Sequence, residues 1–230
     1  MGIAADIAGD WEAALAALEW QVEAGVDEVI GDGPVNRYEL AAEVKKAPAA
    51  VQPVVAVAAA DPVAVAKAAA LAAGTLEELR AALAGFEQCE LKKGARNTVF
   101  ADGSYGARVL VLGEAPGADE DREGRPFVGR AGQLLDKMFA AIGLSRTSPD
   151  PAAALYITNV MPWRPPGNRD PEPAEIAMML PFVERHIALM NPEFIVVMGN
   201  TPLFALTGTK GILRARGNWV QALGKPVLPC

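Results

Sequence analysis

Three short apolar runs, Val109–Leu112, Leu155–Thr158 and Phe194–Met198, each end at a loop rich in Gly, Pro or Asn and give way to a stretch of helical periodicity. Strands that alternate with helices pair in parallel and take helices on both faces, because each parallel crossover needs a dozen or more residues. The first crossover holds a helix near Arg130–Ile142, with Leu134, Leu135, Met138 and Ile142 on one face; Pro173–Met190 forms the next, and Thr201–Leu206 begins another. The expected fold is α/β, three layers α/β/α around a short parallel sheet. In such sheets ligands bind outside the carboxyl ends of the strands, so the loops after the three runs are the place to look for chemistry.

The first 85 residues have a different texture. Trp11, Leu15, Leu18, Val22 and Val26 recur at spacings of three and four, which predicts an amphipathic helix over 10–30 capped by Asp10, with a turn at Gly31–Pro34. Residues 45–70 are an Ala/Val/Pro tract that reads as a linker, partly polyproline-like. Asp61-Pro62 has the form of an N-cap and first helical residue for a helix to about Ala73, and Thr75-x-x-Glu78 is a capping box for another. The expected organisation is an acidic helical extension over 1–44, a linker over 45–70 and a single domain over 71–230. The net charge of −7 divides accordingly: residues 1–85 hold 5 Lys/Arg against 13 Asp/Glu, and residues 86–230 hold 16 against 15. A polyanion partner would therefore be held by local basic clusters rather than by a global field.

At 51% hydrophobic and 21% charged residues the chain has a globular balance. No run reaches the ~18 apolar residues of a membrane span, and Met1–Asp10 carries two acids and no basic residue of a signal peptide. A soluble, intracellular protein is expected. Cys89 and Cys230 form no Cys-x-x-Cys pair, so one chain builds neither a disulfide scaffold nor a four-thiolate metal site. The one histidine, His186, stands beside Arg185 in a helical stretch and reads as an exposed helix residue.

The loop after the first run is Gly113-Glu114-Ala115-Pro116-Gly117-Ala118-Asp119-Glu120-Asp121, continuing to Pro126-Phe127-Val128-Gly129. Its glycines allow a tight turn close to a ligand, but no Gly-Lys-Ser/Thr follows, so it is not a phosphate-binding P-loop. Glu114, directly after the strand, is placed to act on a ligand, and Asp119–Asp121 to cap or orient the loop. Phe127 offers either a core ring or a stacking surface for a flat ligand. The loop after the second run, Thr158 to Arg169, opens with Asn159, whose carbonyl and amide match a donor–acceptor edge such as the N3–H and O4 of uracil; a turn-forming Asn is the other reading. Arg164 and Arg169 are candidates for phosphate contacts, against a reading as plain surface charge.

Taken together, GEAPGADEDREGRPFVGRAGQLLD, YITNVMPWRPPGNR, PEFIVVMGNTP and ILRARGNW resemble the family 4 uracil-DNA glycosylases over residues 86–230. The resemblance implies Glu114, Glu120 in its support, and Asn168 as catalytic groups, Ala115 and Phe127 against an extruded uracil, Asn159 on its pyrimidine edge, and Arg164 and Arg169, in the loop that holds Asn168, on the DNA. The implied activity is hydrolysis of the N-glycosidic bond of uracil in single- or double-stranded DNA, by a cytoplasmic monomer associated with the nucleoid when on DNA. The N-terminal extension carries no family chemistry; docking of a protein partner and packing on the domain stand as its two readings.

The sequence departs from the family pattern in three places. Ala115 stands where better-known glycosylases have a water-activating Asp. Of the four cysteines that hold a 4Fe–4S cluster in the family only Cys89 is present, with Phe86, Trp163 and Met178 at or near the others, so no cofactor is expected and apolar packing fills the space. Finally, the chain stops at Cys230, before the family's His-Pro-x-Tyr-Leu-Leu-Arg motif, which implies a fragment lacking part of the site, the last strand and the final helix. Two alternatives to an active glycosylase follow: a catalytically impaired protein that binds uracil or abasic DNA, and a small-nucleotide enzyme of flavodoxin-like type, which leaves the Arg-Pro-Pro-Gly-Asn-Arg loop unexplained.

Overall fold

Near-continuous runs of Val, Leu and Ile suit strands buried on both faces, and they form such strands in the computed structural model, which describes residues 11–23 and 61–230. The six strands are β1 (Asp102–Gly103), β2 (Val109–Gly113), β3 (Leu155–Asn159), β4 (Phe194–Val197), β5 (Val220–Ala222) and β6 (Lys225–Pro229), in the order β1-β3-β2-β4-β6-β5. The central four are parallel, and the short edge strands β1 and β5 are antiparallel to their neighbours. From β2 the chain moves to β3 on one side and afterwards to β4 on the other, so a crevice opens at the carboxyl end of β2. Register sets Gly113 opposite Asn159, the last residues of β2 and β3.

Alternate residues of these strands face two cores. Leu110, Leu112, Tyr156, Ile195 and Val197 face the larger one. It is closed by α2 (Pro62–Ala72), α3 (Leu76–Ala84), α7 (Pro173–Met190) and α8 (Asn200–Thr207). Val111, Leu155, Ile157 and Val196 face the smaller one, covered by Leu135 of α6 (Arg130–Ala140) with Phe139 and Leu144. Short helices α4 (Leu91–Gly94), α5 (Ala118–Glu123) and α9 (Ile212–Ala215) lie in the connections. The expected three-layer α/β/α arrangement is the one formed.

Several sequence expectations need correction. The folded unit begins at Ala58, so α2, with its Asp61 N-cap bonded to the Val63 N–H at 3.1 Å, packs within the domain and is not part of a linker ending at residue 70. Of the expected stripe only Leu135 is buried: Leu134 and Met138 on α6 and Ile142 just past its end are 59%, 57% and 70% exposed. The inward face is set by Gly132, Leu135 and Phe139, at spacings of three and four, with Leu135 and Phe139 one position on from Leu134 and Met138. Lys225–Pro229, which was not expected to be a strand, pairs in parallel with β4. It follows a two-residue hairpin in which Leu223 and Gly224 both have left-handed φ, 51° and 70°; with Leu at the first position, the usual Asn-Gly or Asp-Gly signal is lacking.

His186 is also corrected. It is 5% exposed, its Nε2 lies 2.8 Å from the Tyr156 hydroxyl, and its ring stacks on Phe100 with centroids 4.5 Å apart. Helix α7 is packed by α2 and α3 as well as by the core of the sheet, and His186 lies with Met179, Val183 and Ile187 on its buried side. Burial, with a smaller effect of the Arg80 cation, pushes the imidazole pKa down to about 3.

The N-terminal unit, Met1–Val57, is represented by α1 (Trp11–Glu23). The Asp10 cap, the continuation to residue 30, the turn at Gly31–Pro34 and the tract over 45–60 lie outside the described residues. Among the described residues no helix is long and apolar enough to cross a membrane.

Candidate active site

At the carboxyl ends of β2 and β3, two side chains meet over a glycine. A Cβ on Gly113 would lie 2.3 Å from Asn159 Oδ1 and 2.5 and 2.6 Å from Cε2 and Cζ of Phe127. Any larger residue at position 113 would separate the ring from the amide, so glycine is required here by close approach. Asn159 is 7% exposed, and its Oδ1 is buried with no hydrogen-bond partner. A buried acceptor left unpaired costs about 1–3 kcal/mol, which a ligand N–H would relieve. Phe127 and Asn159, both expected to contact a flat ligand, thus lie side by side over Gly113.

Phe127 is held in a conformation that a phenylalanine rarely adopts, with φ of 55°. Its backbone is fixed from two sides. The guanidinium of Arg146, 8% exposed, donates to the Pro126 and Phe127 carbonyls, both at 2.9 Å, while pairing with Asp102 at 3.1 Å and Asp136 at 2.9 Å. Helix α6 presses so closely that a Cβ on Gly132 would fall 1.8 Å from the Phe127 carbonyl oxygen. Glu120 closes the loop: its carboxylate accepts from the backbone N–H of Gly117 at 3.1 Å, Val128 at 2.9 Å and Gly129 at 2.8 Å. It is a positioning residue for the Phe127 segment, which corrects its expected place among catalytic groups. Asp121 ties the same loop to the N–H groups of Arg96 and Asn97, the orienting role expected of the acidic stretch.

Glu114 is half-buried in the crevice after β2, and its carboxylate accepts from the Thr201 hydroxyl at the start of α8. The strand pairing continues past it, with the Val160 N–H on the Gly113 carbonyl and the Met161 N–H on the Glu114 carbonyl, both at 2.9 Å. Ala115 is half-buried against the larger core and brings no titratable group.

The Arg-Pro-Pro-Gly-Asn-Arg loop is wired differently from expectation. Asn168, exposed and with φ of 55°, accepts from Nε of Arg164 at 2.7 Å, so it braces the loop and its amide does not join Phe127 and Asn159. Arg169 makes a forked pair with Glu175 at 2.7 and 2.9 Å, which holds the Glu175 carboxyl below its usual range. Its guanidinium is thereby paired within the protein.

The four positions that the family resemblance assigns to a 4Fe–4S cluster hold one thiol. Cys89, Phe86 and Trp163 are 1%, 4% and 1% exposed in the larger core, with Met178 packed against it. Phe86 meets Phe182 edge-on at 5.4 Å, and the Trp163 indole N–H donates to Thr98 at 3.0 Å. Burial raises the Cys89 thiol above its ordinary pKa, whereas a ligand must be a thiolate. This donor set does not fit a four-thiolate cluster.

Arg146, Gly132 and Thr201 belong to the site and were not singled out from sequence. Gly-Leu-Ser-Arg after a helix is no motif, and only the fold brings Arg146 onto a loop some twenty residues earlier. Thr201 stood in a recognised segment, Gly-Asn-Thr-Pro, but without a partner it suggested no role.

Residues 100–230 match the family model of the uracil DNA glycosylase superfamily. The chain is 41% identical over 144 residues to the Type-4 uracil-DNA glycosylase of Thermotoga maritima, covering 61% of this chain and 72% of that one. It is 35% identical over 149 residues to that of Pyrobaculum aerophilum, covering 65% and 70%. With that of Sulfurisphaera tokodaii it shares 41% over 126 residues, 54% of each chain.

Proposed function

The chain belongs to the uracil DNA glycosylase superfamily, and from that premise we propose that it is a DNA-repair glycosylase releasing uracil from DNA and leaving an abasic site. One observation carries the reading: the unpartnered Asn159 Oδ1 beside the Phe127 ring above Gly113. A flat pyrimidine stacked on the ring offers its N3–H to Oδ1 and its O4 to the Asn159 amide. Cytosine, with a bare N3 and an amino group at C4, meets acceptor with acceptor and donor with donor, so uracil is selected by leaving the wrong base unpaired. A target base inside a duplex has to be extruded to reach this position, or be taken from a single strand.

In the reaction the C1′–N1 bond breaks, uracil leaves with the electron pair, water adds its hydroxyl to C1′, and the proton it gives up is taken by the uracil anion. Negative charge gathers on uracil O2 and O4 as it departs, so the Asn159 amide N–H, already aimed at O4, binds the transition state more tightly than the substrate. Glu114, at the mouth of the crevice and fixed by Thr201, supplies negative charge toward the developing sugar cation and an acceptor to orient the water. No iron–sulfur cluster enters this scheme; purified protein should contain neither iron nor acid-labile sulfide.

Incubation with uracil-containing single-stranded DNA should give alkali-labile sites with the native chain and few with Asn159→Ala. Loss of about one to two orders of magnitude in release is expected from removing that edge contact. Ala115, a methyl group where a water-activating acid is looked for, favours a second reading, in which uracil or abasic DNA is bound without turnover. Uracil-dependent binding with no base release would select it; release equal in native and Asn159→Ala protein would refute the site.

A further inference from the structure

From Phe194 to Cys230 the sequence contains no Asp or Glu and four basic residues, Lys210, Arg214, Arg216 and Lys225. Three of these lie in one connection, Gly208–Asn218, and the fold brings that connection back to the rim that carries Glu114. Helix α8 leads away from the carboxyl end of β4, yet Asn200, its first residue, accepts from the N–H groups of Gly211 and Ile212 at 3.1 and 2.8 Å. Further along, the Gly217 N–H donates to the Pro229 carbonyl at the carboxyl end of β6, at 2.9 Å. The connection is therefore pinned at both ends beside the strand ends.

Among the described residues none of Lys210, Arg214 and Arg216 has an acidic partner, in contrast to Arg169, Arg122 and Arg125, which are all paired. Lys210 lies over the Phe204 ring, 4.9 Å from Nζ to the centroid, and the Arg214 guanidinium lies beside Gly211. Between Lys210 and the segment Asp170–Pro173 runs a groove of about 320 Å³ that includes Thr201, the residue bonded to Glu114. The groove thus begins at the candidate active site, with one wall cationic and the other carrying the Asp170 carboxylate.

We propose that the Gly208–Asn218 connection is the phosphate-binding rim of the protein, on which Lys210, Arg214 and Arg216 hold the sugar–phosphate backbone of the DNA strand flanking the target nucleotide. The assignment rests on the glycosylase reading for what the strand contains, and on the unpaired cations for how it is held. It moves the grip away from Arg169, whose charge is neutralised by Glu175. The strand follows the cationic wall, since a phosphate against Asp170 is repelled.

The test is the salt dependence of binding to a uracil-free single strand by the full chain, by K210Q/R214Q/R216Q, and by K67Q/K93Q/K225Q, which removes equal charge outside the connection. Each phosphate contact on a single strand contributes about 0.7 to the slope of log K against log salt. The triple variant should lower the slope by about 2, each single variant by about 0.7, and the outside variant by far less. Free-uracil competition, measured in parallel, should be unchanged in the triple variant and lost in Asn159→Ala, which separates the rim from the uracil site. A native slope in K210Q/R214Q/R216Q, or an equal fall in the outside variant, would overturn the proposal. Single variants with intact melting curves answer the question even if the triple one is unstable.

Discussion

Asn159 is kept in a state that stability alone would remove. Its amide oxygen is buried and unpaired, and a leucine of similar volume would take away the desolvation cost of about 1–3 kcal/mol. Asn159→Leu should therefore raise the melting temperature, by about 2–4 °C per kcal/mol recovered, while free-uracil binding disappears; calorimetry with uracil competition checks both. A lower melting temperature would mean that the oxygen is satisfied in the folded protein. His186 makes the opposite case, a buried polar group that is partnered. Its folded pKa of about 3 lies below the unfolded value of 6.5, so its contribution is complete above pH 6.5 and is lost as the pH falls from there toward 3. Each pH unit across that window is worth about 1.4 kcal/mol from this group. The double variant Tyr156→Phe/His186→Phe, which removes both polar partners together, should melt with a flatter acid limb between pH 6 and 4 than the native protein.

Between residues and whole protein stands the loop from Gly113 to Gly129, and its conformation was the least legible part of the sequence. The strands before it and the helix after it follow from Val/Leu runs and a 3.6-residue period. Gly113 and Asn159 were legible as strand ends, since a parallel sheet makes every carboxyl end a candidate. The Arg146 clamp was illegible because it acts on two carbonyls, which carry no side-chain signature, through a residue in no motif. The partners of Glu120, Asn168 and Arg169 are illegible for a related reason: charge and amide are visible in the sequence, but three backbone N–H groups, Arg164 and Glu175 are brought to them only by folding. If Arg146 positions Phe127, Arg146→Ala should raise KM for uracil-DNA and weaken uracil binding at temperatures where the protein is fully folded, besides costing about 1.5–3 kcal/mol of stability. Arg146→Lys, which can pair with Asp102 or Asp136 but lacks the fork for both carbonyls, should recover stability more than uracil affinity. Equal recovery of the two would reduce Arg146 to a structural ion pair.

At the scale of the molecule the charge is divided in a way the site has to overcome. Residues 1–57 hold 10 acids and 3 bases, so the whole net −7 belongs to the N-terminal unit, and Ala58–Cys230 is formally neutral with its own core running from Ala66 to Val227. An excess of negative charge on the same chain repels a DNA strand over roughly a Debye length, ~30 Å at 0.01 M salt and ~8 Å at 0.15 M. The unit Ala58–Cys230 on its own should melt in one transition and bind free uracil like the full chain, because its core and the Asn159 contact are made by its own residues and free uracil is uncharged. Its affinity for single-stranded DNA should exceed that of the full chain severalfold at 0.01 M salt, with the difference closing by 0.15 M. A gap that persists at 0.15 M would mean that the N-terminal residues meet the DNA or its binding rim directly. A gap of the reverse sign would give them a share in holding the strand, which their acidity argues against.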